Sequence, residues 1–447
     1  ESEGEMERLR QTLSTAGIGT SNLALVDPTA FKVEGIRPDQ DAAFMKAGIV
    51  AANHFLRAAL LGAVVFALPF CGPGFAQQPK EPAKRRPVAV ATPFEVAAAY
   101  VDQKPDNDLS AGRAKEFGFK VYASIAEALR CGGDRLAVDA VLVIGEHGKY
   151  ERNEFNQIQY PRYNFFKEIV EVYRKGGRVA PVFNDKHLSW KFDFAKEMVD
   201  LSKKFNFPLL AGSSLPVTWR MPAVDMPHGA EVEDAMCVAF GGQDVYDFHA
   251  HETIQCMVER RKGGETGVKA VTCHPPKSMW EPLDQYEWAE PVLEAATKLI
   301  PMHAPGDRRA LTAKSAEAGT FEIEYRDGLR AFVVVPNGWI YENDGGGFIF
   351  AGLRKGQARP DACRFYLQQP DPYAHFAELT KAIDSLVGTG HAPYPAERTL
   401  LTTGVLDAVM TSRSENGKRI ETPHLEVAYK PTEWPPARGE VPRPDKR

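Results

Sequence analysis

Residues 137–147 read AVDAVLVIGEH, an almost unbroken apolar run that stops on glycine, glutamate and histidine. A strand with one wet face alternates polar and apolar residues. A continuous run of this kind is buried on both faces, as at the centre of a parallel sheet. Downstream, RYNFFKEIVEVYRKGG (162–177) is an amphipathic helix with Gly176-Gly177 as its stop. RVAPVFND (178–185) follows as a strand, DFAKEMVDLSKKF (193–205) as a helix and PLLAGSS (208–214) as a strand. Upstream, RPVAVAT (86–92) and FEVAAAYVD (94–102) are short runs of strand type. KEFGFK (115–120) leads into VYASIAEAL (121–129), where Ile125, Ala128 and Leu129 share a helical face. This βαβα alternation predicts an α/β fold with a Rossmann-like, doubly wound parallel sheet.

Beyond about residue 225 the rhythm changes. HETIQCMVERRKGG (251–264) reads as a helix. Strands are expected at 320–327, 330–338, 345–354 and 363–369, the first two joined by a tight turn at Asp327-Gly328. Helices follow at 375–388 and 395–416, so the second half is expected to be an α+β domain with an antiparallel or mixed sheet. The expected organisation is an N-terminal extension over 1–86, a Rossmann-like domain over 87–225, the α+β domain over 226–430 and a Pro- and charge-rich tail over 431–447.

The totals narrow the function. A chain of 447 residues with 44% hydrophobic and 25% charged residues is ordinary for a globular protein of two domains. A formal charge of −5 and the absence of a long basic block give no nucleic-acid signature. Six scattered cysteines without a CxxC pair predict free, buried thiols. LRAALLGAVVFALPF (56–70) is shorter than the ~20 residues of a membrane span. It has the length of a signal-peptide core, with Gly74–Ala76 as a possible cleavage site and the Pro-rich QQPKEPAKRRP after it. Read as a signal, the 56–76 segment implies an exported or periplasmic protein; read as a buried or interfacial helix, it implies a cytoplasmic one.

Four segments together resemble the Gfo/Idh/MocA family of NAD(P)-dependent sugar and polyol dehydrogenases, from about Val88 to Tyr429. VAAAYVD ends on Asp102, matching the acid that accepts the adenosine ribose hydroxyls. VDAVLVIGEH matches the fourth-strand motif on the nicotinamide side, which places Gly145 and Glu146 at the cofactor. GGRVAPVFNDKHL matches the family's Glu-Lys-Pro segment, with Asp185-Lys186-His187 on that motif and Lys186 at the catalytic lysine. GGQDVYDFHAHETIQCMV resembles the segment that carries the catalytic histidine, here His249 or His251. SSLPVTWRMP (213–222) resembles the interdomain crossover, with Arg220 toward substrate. The resemblance implies a carbohydrate-like small-molecule substrate, NAD or NADP, and a homo-oligomer.

The chain also departs from the family. Only nine residues, Pro93 to Val101, separate Thr92 from Asp102, too few for a glycine loop, a helix and a second strand. The first βα unit is therefore incomplete, and a pyrophosphate loses its backbone N–H donors at a helix N-terminus. His187 stands in place of the motif's proline. Lys186 can exchange a proton with a substrate hydroxyl if burial lowers its pKa.

Strand ends at Glu146-His147 and Asp185-His187 should share the carboxyl edge of the sheet, where ligands of open α/β sheets bind. His249 and Glu252, three apart, share a helix face, with His251 pointing away. Asp247 and His251, in contrast, keep the family's D-x-x-x-H spacing. The catalytic candidates are thus Lys186, Asp185, His249 and His251, with His147 and Arg220 at the substrate. A divalent metal on His147, His187, His249 and Glu252 is the alternative chemistry. The functions to be separated are an oxidoreductase on a sugar or polyol, a metal- or acid–base enzyme of the same fold without dinucleotide, and a non-catalytic binding relative.

Overall fold

The computed structural model describes residues 94–146, 148–300, 303–340, 345–368 and 373–442. The 56–76 segment, the RPVAVAT run and His147 lie outside these residues. Among the described residues no helix is long and apolar enough to cross a membrane.

In chain order the first half contains β1 (Ala98–Tyr100), α1 (Ser110–Phe117), β2 (Lys120–Tyr122), α2 (Ile125–Leu129), β3 (Val141–Val143), α3 (Arg162–Gly176), β4 (Val182–Asp185), α4 (Phe192–Phe205) and β5 (Leu209–Gly212). All pairings are parallel, but they form two pieces, β1-β2 and β3-β4-β5. The expected parallel sheet is therefore present in two parts. The break falls between β1 and β3.

The continuous apolar run around β3 has a direct cause. Val141 and Val143 pack with Val182, Leu209 and Ala211 against Phe165, Ile169 and Met198 of α3 and α4. Leu142 and Ile144 face the other way, with Phe183 and Leu210. Both faces are covered, which is why the run has no polar face. α3 ends at Gly177, whose φ of +66° and N–H bond to the Tyr173 carbonyl form the left-handed cap that the Gly-Gly pair anticipates.

The second half opens with β6 (Arg220–Met221), β7 (Val232–Val238), α5 (Val245–Val258), β8 (Val268–His274), α6 (Glu281–Asp284), α7 (Ala289–Thr297) and α8 (Arg308–Thr312). It continues with β9 (Gly319–Tyr325), β10 (Arg330–Val335), β11 (Gly345–Arg354), β12 (Asp361–Leu367), α9 (His375–Thr389), α10 (Glu397–Ser414) and β13 (Ile420–Glu421). Eight strands form one mixed sheet in the order β13-β8-β9-β10-β7-β11-β12-β6, antiparallel except for the β10–β7 pair. The molecule is thus α/β, with a parallel sheet followed by a mixed sheet.

The two halves are tied by helices from the end of the chain. α9 lays Leu379, Ile383 and Leu386 over Ile144, Phe183 and Leu210 of the first half. α10 packs on α5, α4 and β8. Under α5 and α10 lies a buried polar network. The Arg398 guanidinium grips both oxygens of Glu259, and Tyr429 donates to the same carboxylate at 2.8 Å. Cys237, Cys256, Cys273 and Cys363 are free and buried.

Candidate active site

The strands β3, β4 and β5 run parallel, so their carboxyl ends lie on one edge and the residues that follow them meet there. Lys186 follows β4 with φ of +64°, a left-handed conformation costly for a side chain with a Cβ. Its backbone N–H donates to the Gly212 carbonyl at 3.1 Å, which ties the end of β4 to the end of β5. Its ammonium stands 2.8 Å from Asp185 Oδ2 and 2.9 Å from Glu146 Oε1.

The electrostatics of this trio reverse the condition on which Lys186 would act as a base. Burial by itself pushes the ammonium toward the neutral form, but Asp185 and Glu146 outweigh it and hold Lys186 above its ordinary value. The lysine is therefore charged at neutral pH, a donor and not an acceptor. Asp185 moves up to about 6, chiefly because it is buried, with Lys186 opposing the shift and Glu146 adding to it. Asp185 thus rises through burial and Glu146, and Lys186 through the two carboxylates. Asp185 Oδ1 has no partner among the described residues.

Next to the lysine, His187 performs by hydrogen bonding what a proline ring does by rigidity. Its Nδ1 donates to the Ser189 carbonyl at 2.7 Å, and its Nε2 accepts from Arg162 at 2.9 Å. Burial and the Arg162 charge hold it neutral, well below the usual histidine range. With both nitrogens engaged, His187 has no lone pair for a metal. Among the described residues no group of three or more His, Cys, Asp or Glu side chains is arranged to hold an ion. The metal set of His147, His187, His249 and Glu252 therefore loses His187, and His147 lies outside the described residues. Arg162 itself passes over Gly145, where a Cβ would stand 2.9 Å from its Cγ, and stacks 4.7 Å above Tyr160.

The other wall is α5. Its N-cap, Asp244, has φ of +73° and ψ of −68°, closed by a bond from Val245 N–H to the Gln243 carbonyl. Asp244 and Asp247 cap each other's backbone, and Asp244 Oδ2 accepts from Ile158 N–H at 2.8 Å. This fixes the helix entry against the long loop after β3.

His249 and Glu252, one turn further on, both reach Ser213. The His249 Nδ1 lies 3.2 Å from Ser213 Oγ, Ser213 Oγ donates to Glu252 Oε2, and Ser213 N–H donates to Glu252 Oε1 at 2.9 Å. His251 points into the core instead. Its ring lies 5.6 Å from Phe321, neither nitrogen has a partner among the described residues, and burial with the Arg413 charge lowers it to about 3. Asp247 binds Arg413 at 3.2 Å, so the Asp247/His251 pair with the family's spacing is engaged inside the protein.

Lys186 and His249 are connected through consecutive residues: Lys186 N–H donates to the Gly212 carbonyl, and His249 Nδ1 lies 3.2 Å from the Ser213 hydroxyl. Their side chains keep 11% and 15% of their surface, while Asp185 and Glu252 behind them keep 1% and 0%. Lys186 and His249 are thus slightly more exposed than Asp185 and Glu252. Gly212 is essential to this geometry. Its φ is +118°, and a Cβ there would stand 2.6 Å from Glu252 Oε1 and 3.2 Å from Thr399 Oγ1. Gly212→Ala is expected to lower stability by about 2 kcal/mol or more, read as a drop in the denaturant midpoint.

The remaining candidates lie elsewhere. Asp102 is exposed after β1 and accepts from Tyr100 and Tyr150, each at 3.0 Å. Gln103 makes two bonds to Lys149, so the ends of β1 and β3 are connected by side chains. Arg220 is buried, 4.7 Å over Phe365 and 3.7 Å from Asp225 and Cys256. Ser213 and Arg162 were not among the sequence candidates. The only sequence signals are a serine directly after a strand-end glycine and an arginine at the head of α3.

The fit to a dinucleotide can be judged from the strand-to-helix connections. β1 reaches α1 through Val101–Leu109 without a glycine, β2 reaches α2 through Ala123-Ser124, and β3 reaches α3 through the long segment Ile144–Pro161. None of these is a glycine-rich turn running straight into a helix. Among the described residues, a pyrophosphate has no such cradle.

No family model matches the chain, and no curated protein matches it. Among solved structures it is similar to a probable dehydrogenase from Thermotoga maritima, at 12% identity over 74% of this chain and 92% of that one, with a TM-score of 0.47. It is also similar to GenD2 from gentamicin A biosynthesis, in complex with NAD, at 12% identity over 73% and 88% of the two chains, with a TM-score of 0.47. A third is a putative myo-inositol dehydrogenase from Sinorhizobium meliloti 1021, at 13% identity over 73% and 92%, with a TM-score of 0.44.

Proposed function

We propose that this chain is an oxidoreductase-type enzyme that acts on a hydroxyl or carbonyl group of a sugar- or polyol-like molecule at the Lys186–His249 cleft. The observation that carries this reading is the buried ammonium of Lys186, held charged by Asp185 and Glu146 at a strand end whose backbone is bonded to Gly212, the residue before the Ser213 that meets His249. An ammonium has three N–H donors, and two are taken by these carboxylates. The third is the one offered to a substrate oxygen. It stabilises negative charge as that oxygen loses its proton, and His249 takes the proton. Asp185, titrating near 6, adjusts the charge behind the lysine.

Oxidation of the alcohol carbon also needs a hydride acceptor, and the family resemblance implies NAD or NADP. On that resemblance Asp102 would face a ribose and Gly145-Glu146 the nicotinamide end; among the described residues no phosphate turn accompanies them. The proton chemistry rests on Lys186 and His249. The same observation favours a second reading, an acid–base enzyme that uses Lys186 and His249 on a hydroxyl or carbonyl compound with no dinucleotide.

Fluorescence titration with NADH and NADPH separates the two. Saturable binding of either supports the oxidoreductase reading. A flat response to both removes it and leaves the acid–base enzyme.

A further inference from the structure

We infer that Ser213 and Glu252 set the tautomer of His249, holding its proton on Nδ1 and leaving the Nε2 lone pair as the proton acceptor. The inference deepens the reading of His249 as a proton carrier and makes Ser213 and Glu252 positioning residues.

The argument is a count of hydrogen-bond valences. A serine hydroxyl has one proton and two lone pairs. Ser213 Oγ gives its proton to Glu252 Oε2 and accepts from Leu215 N–H at 3.2 Å. One lone pair remains, and the group facing it is His249 Nδ1 at 3.2 Å. That contact is a hydrogen bond only if Nδ1 carries the proton. The opposite tautomer would require the hydroxyl to turn its proton to the histidine and leave Glu252 Oε2 without its donor, in a side chain that is completely buried.

Several features hold the carboxylate in place. Ser213 N–H donates to Glu252 Oε1, and Gly212, lacking a Cβ, lets the carboxylate approach the backbone. The ring is flanked by Tyr246 and Phe248 of α5 and by Phe348 of β11. His187, from the end of β4, is neutral with both nitrogens engaged, and the Glu252 carboxylate lies 3.7 Å from His249 Nδ1. When Nε2 takes a proton, the imidazolium formed is stabilised by that carboxylate. The arrangement resembles a catalytic relay in which a hydroxyl stands between histidine and acid.

The test reads the tautomer and needs neither substrate nor cofactor. In the full chain labelled with 15N-histidine, at about pH 8 where an ordinary imidazole is neutral, two-bond proton–nitrogen correlations report both ring nitrogens of His249. Nδ1 is expected at a protonated shift and Nε2 at a bare one. Ser213→Ala removes one hydrogen bond and should move the tautomer ratio toward Nε2–H by about fivefold, the factor that ~1 kcal/mol represents. Ser213→Thr, which keeps the hydroxyl, should leave it unchanged. Glu252→Gln should move the ratio in the same direction by another route, because the new amide can donate to Ser213 and make the hydroxyl donate to Nδ1, which drives the proton to Nε2. A wild-type proton on Nε2, or a ratio that neither Ser213→Ala nor Glu252→Gln moves, overturns the inference. A flat NADH titration would remove the oxidoreductase reading without touching this measurement.

Discussion

Lys186→Met is expected, on the proposed function, to lose turnover by about 10²–10³, the usual contribution of a donor that stabilises developing negative charge, and also to lose stability in a pH-dependent way. The ammonium is the shared counter-charge of Asp185 and Glu146, and both carboxylates are buried. Removing one partner of a buried ion pair typically costs about 3–5 kcal/mol, because the remaining charge has no compensation. The sign with pH follows from the shifts. In the parent chain Asp185 is raised to about 6, above the ~3.9 of an unfolded aspartate. The folded state therefore holds the extra proton between roughly pH 4 and 6, and stability falls as pH rises through that window.

Lys186 is raised as well, so its contribution is complete below about 10.4 and is lost only as the pH climbs past that value. Without the lysine Asp185 rises further. The variant should therefore be much weaker than the parent at pH 8 and closer to it at pH 5. Urea unfolding at the two pH values measures this. Adding Asp185→Asn should recover part of the loss at pH 8 and little at pH 5; equal losses at both values would contradict the assignment of charges.

Arg398→Met is expected to destabilise the whole chain by a similar amount, about 3–5 kcal/mol. Arg398 meets Glu259 through two nitrogens, at the junction of α5 and α10, and only Tyr429 is left on the carboxylate when the guanidinium is removed. The loss should reach the site. α10 also carries Thr399, whose hydroxyl donates to the Ala211 carbonyl at 3.0 Å, and Thr403, which accepts from Leu188 N–H at 3.2 Å. These two contacts hold the ends of β5 and β4 from outside. Denaturant midpoints would show the effect. The double variant Arg398→Met with Glu259→Leu, which removes the stranded charge, should regain most of it.

Much of the first half is legible in the residues because burial leaves a periodic trace. The two-sided burial of β3 appears as an unbroken apolar run, and the stop of α3 as Gly-Gly. Two elements of the second half are not legible. β7 opens with Val-Glu-Asp and β8 contains Lys269 and His274, so neither has the pattern of a central strand, although β7 lies between β10 and β11. α5 begins six residues before the helix that is readable at His251. Nearly its whole surface is buried, and a helix covered all round has no polar face to mark its period.

At the site, the shared face of His249 and Glu252 can be read from their spacing. Their meeting point cannot, since Ser213 lies 39 residues from Glu252 in the chain. Nor can the charge of Lys186, because burial and two carboxylates act in opposite directions and only distances decide which prevails.

The position of α9 has a consequence for how the protein is made. Ile144, Phe183 and Leu210 emerge from the ribosome well before Leu379 and Ile383, which cover them. At ~5–20 residues per second the uncovered sheet face waits roughly 10–30 s for its last helix. During that interval the nascent chain presents an apolar surface that only its own C-terminal portion can complete. Synthesis interrupted before residue 386 would release an early half that is sticky, and chaperone dependence should be concentrated in that interval.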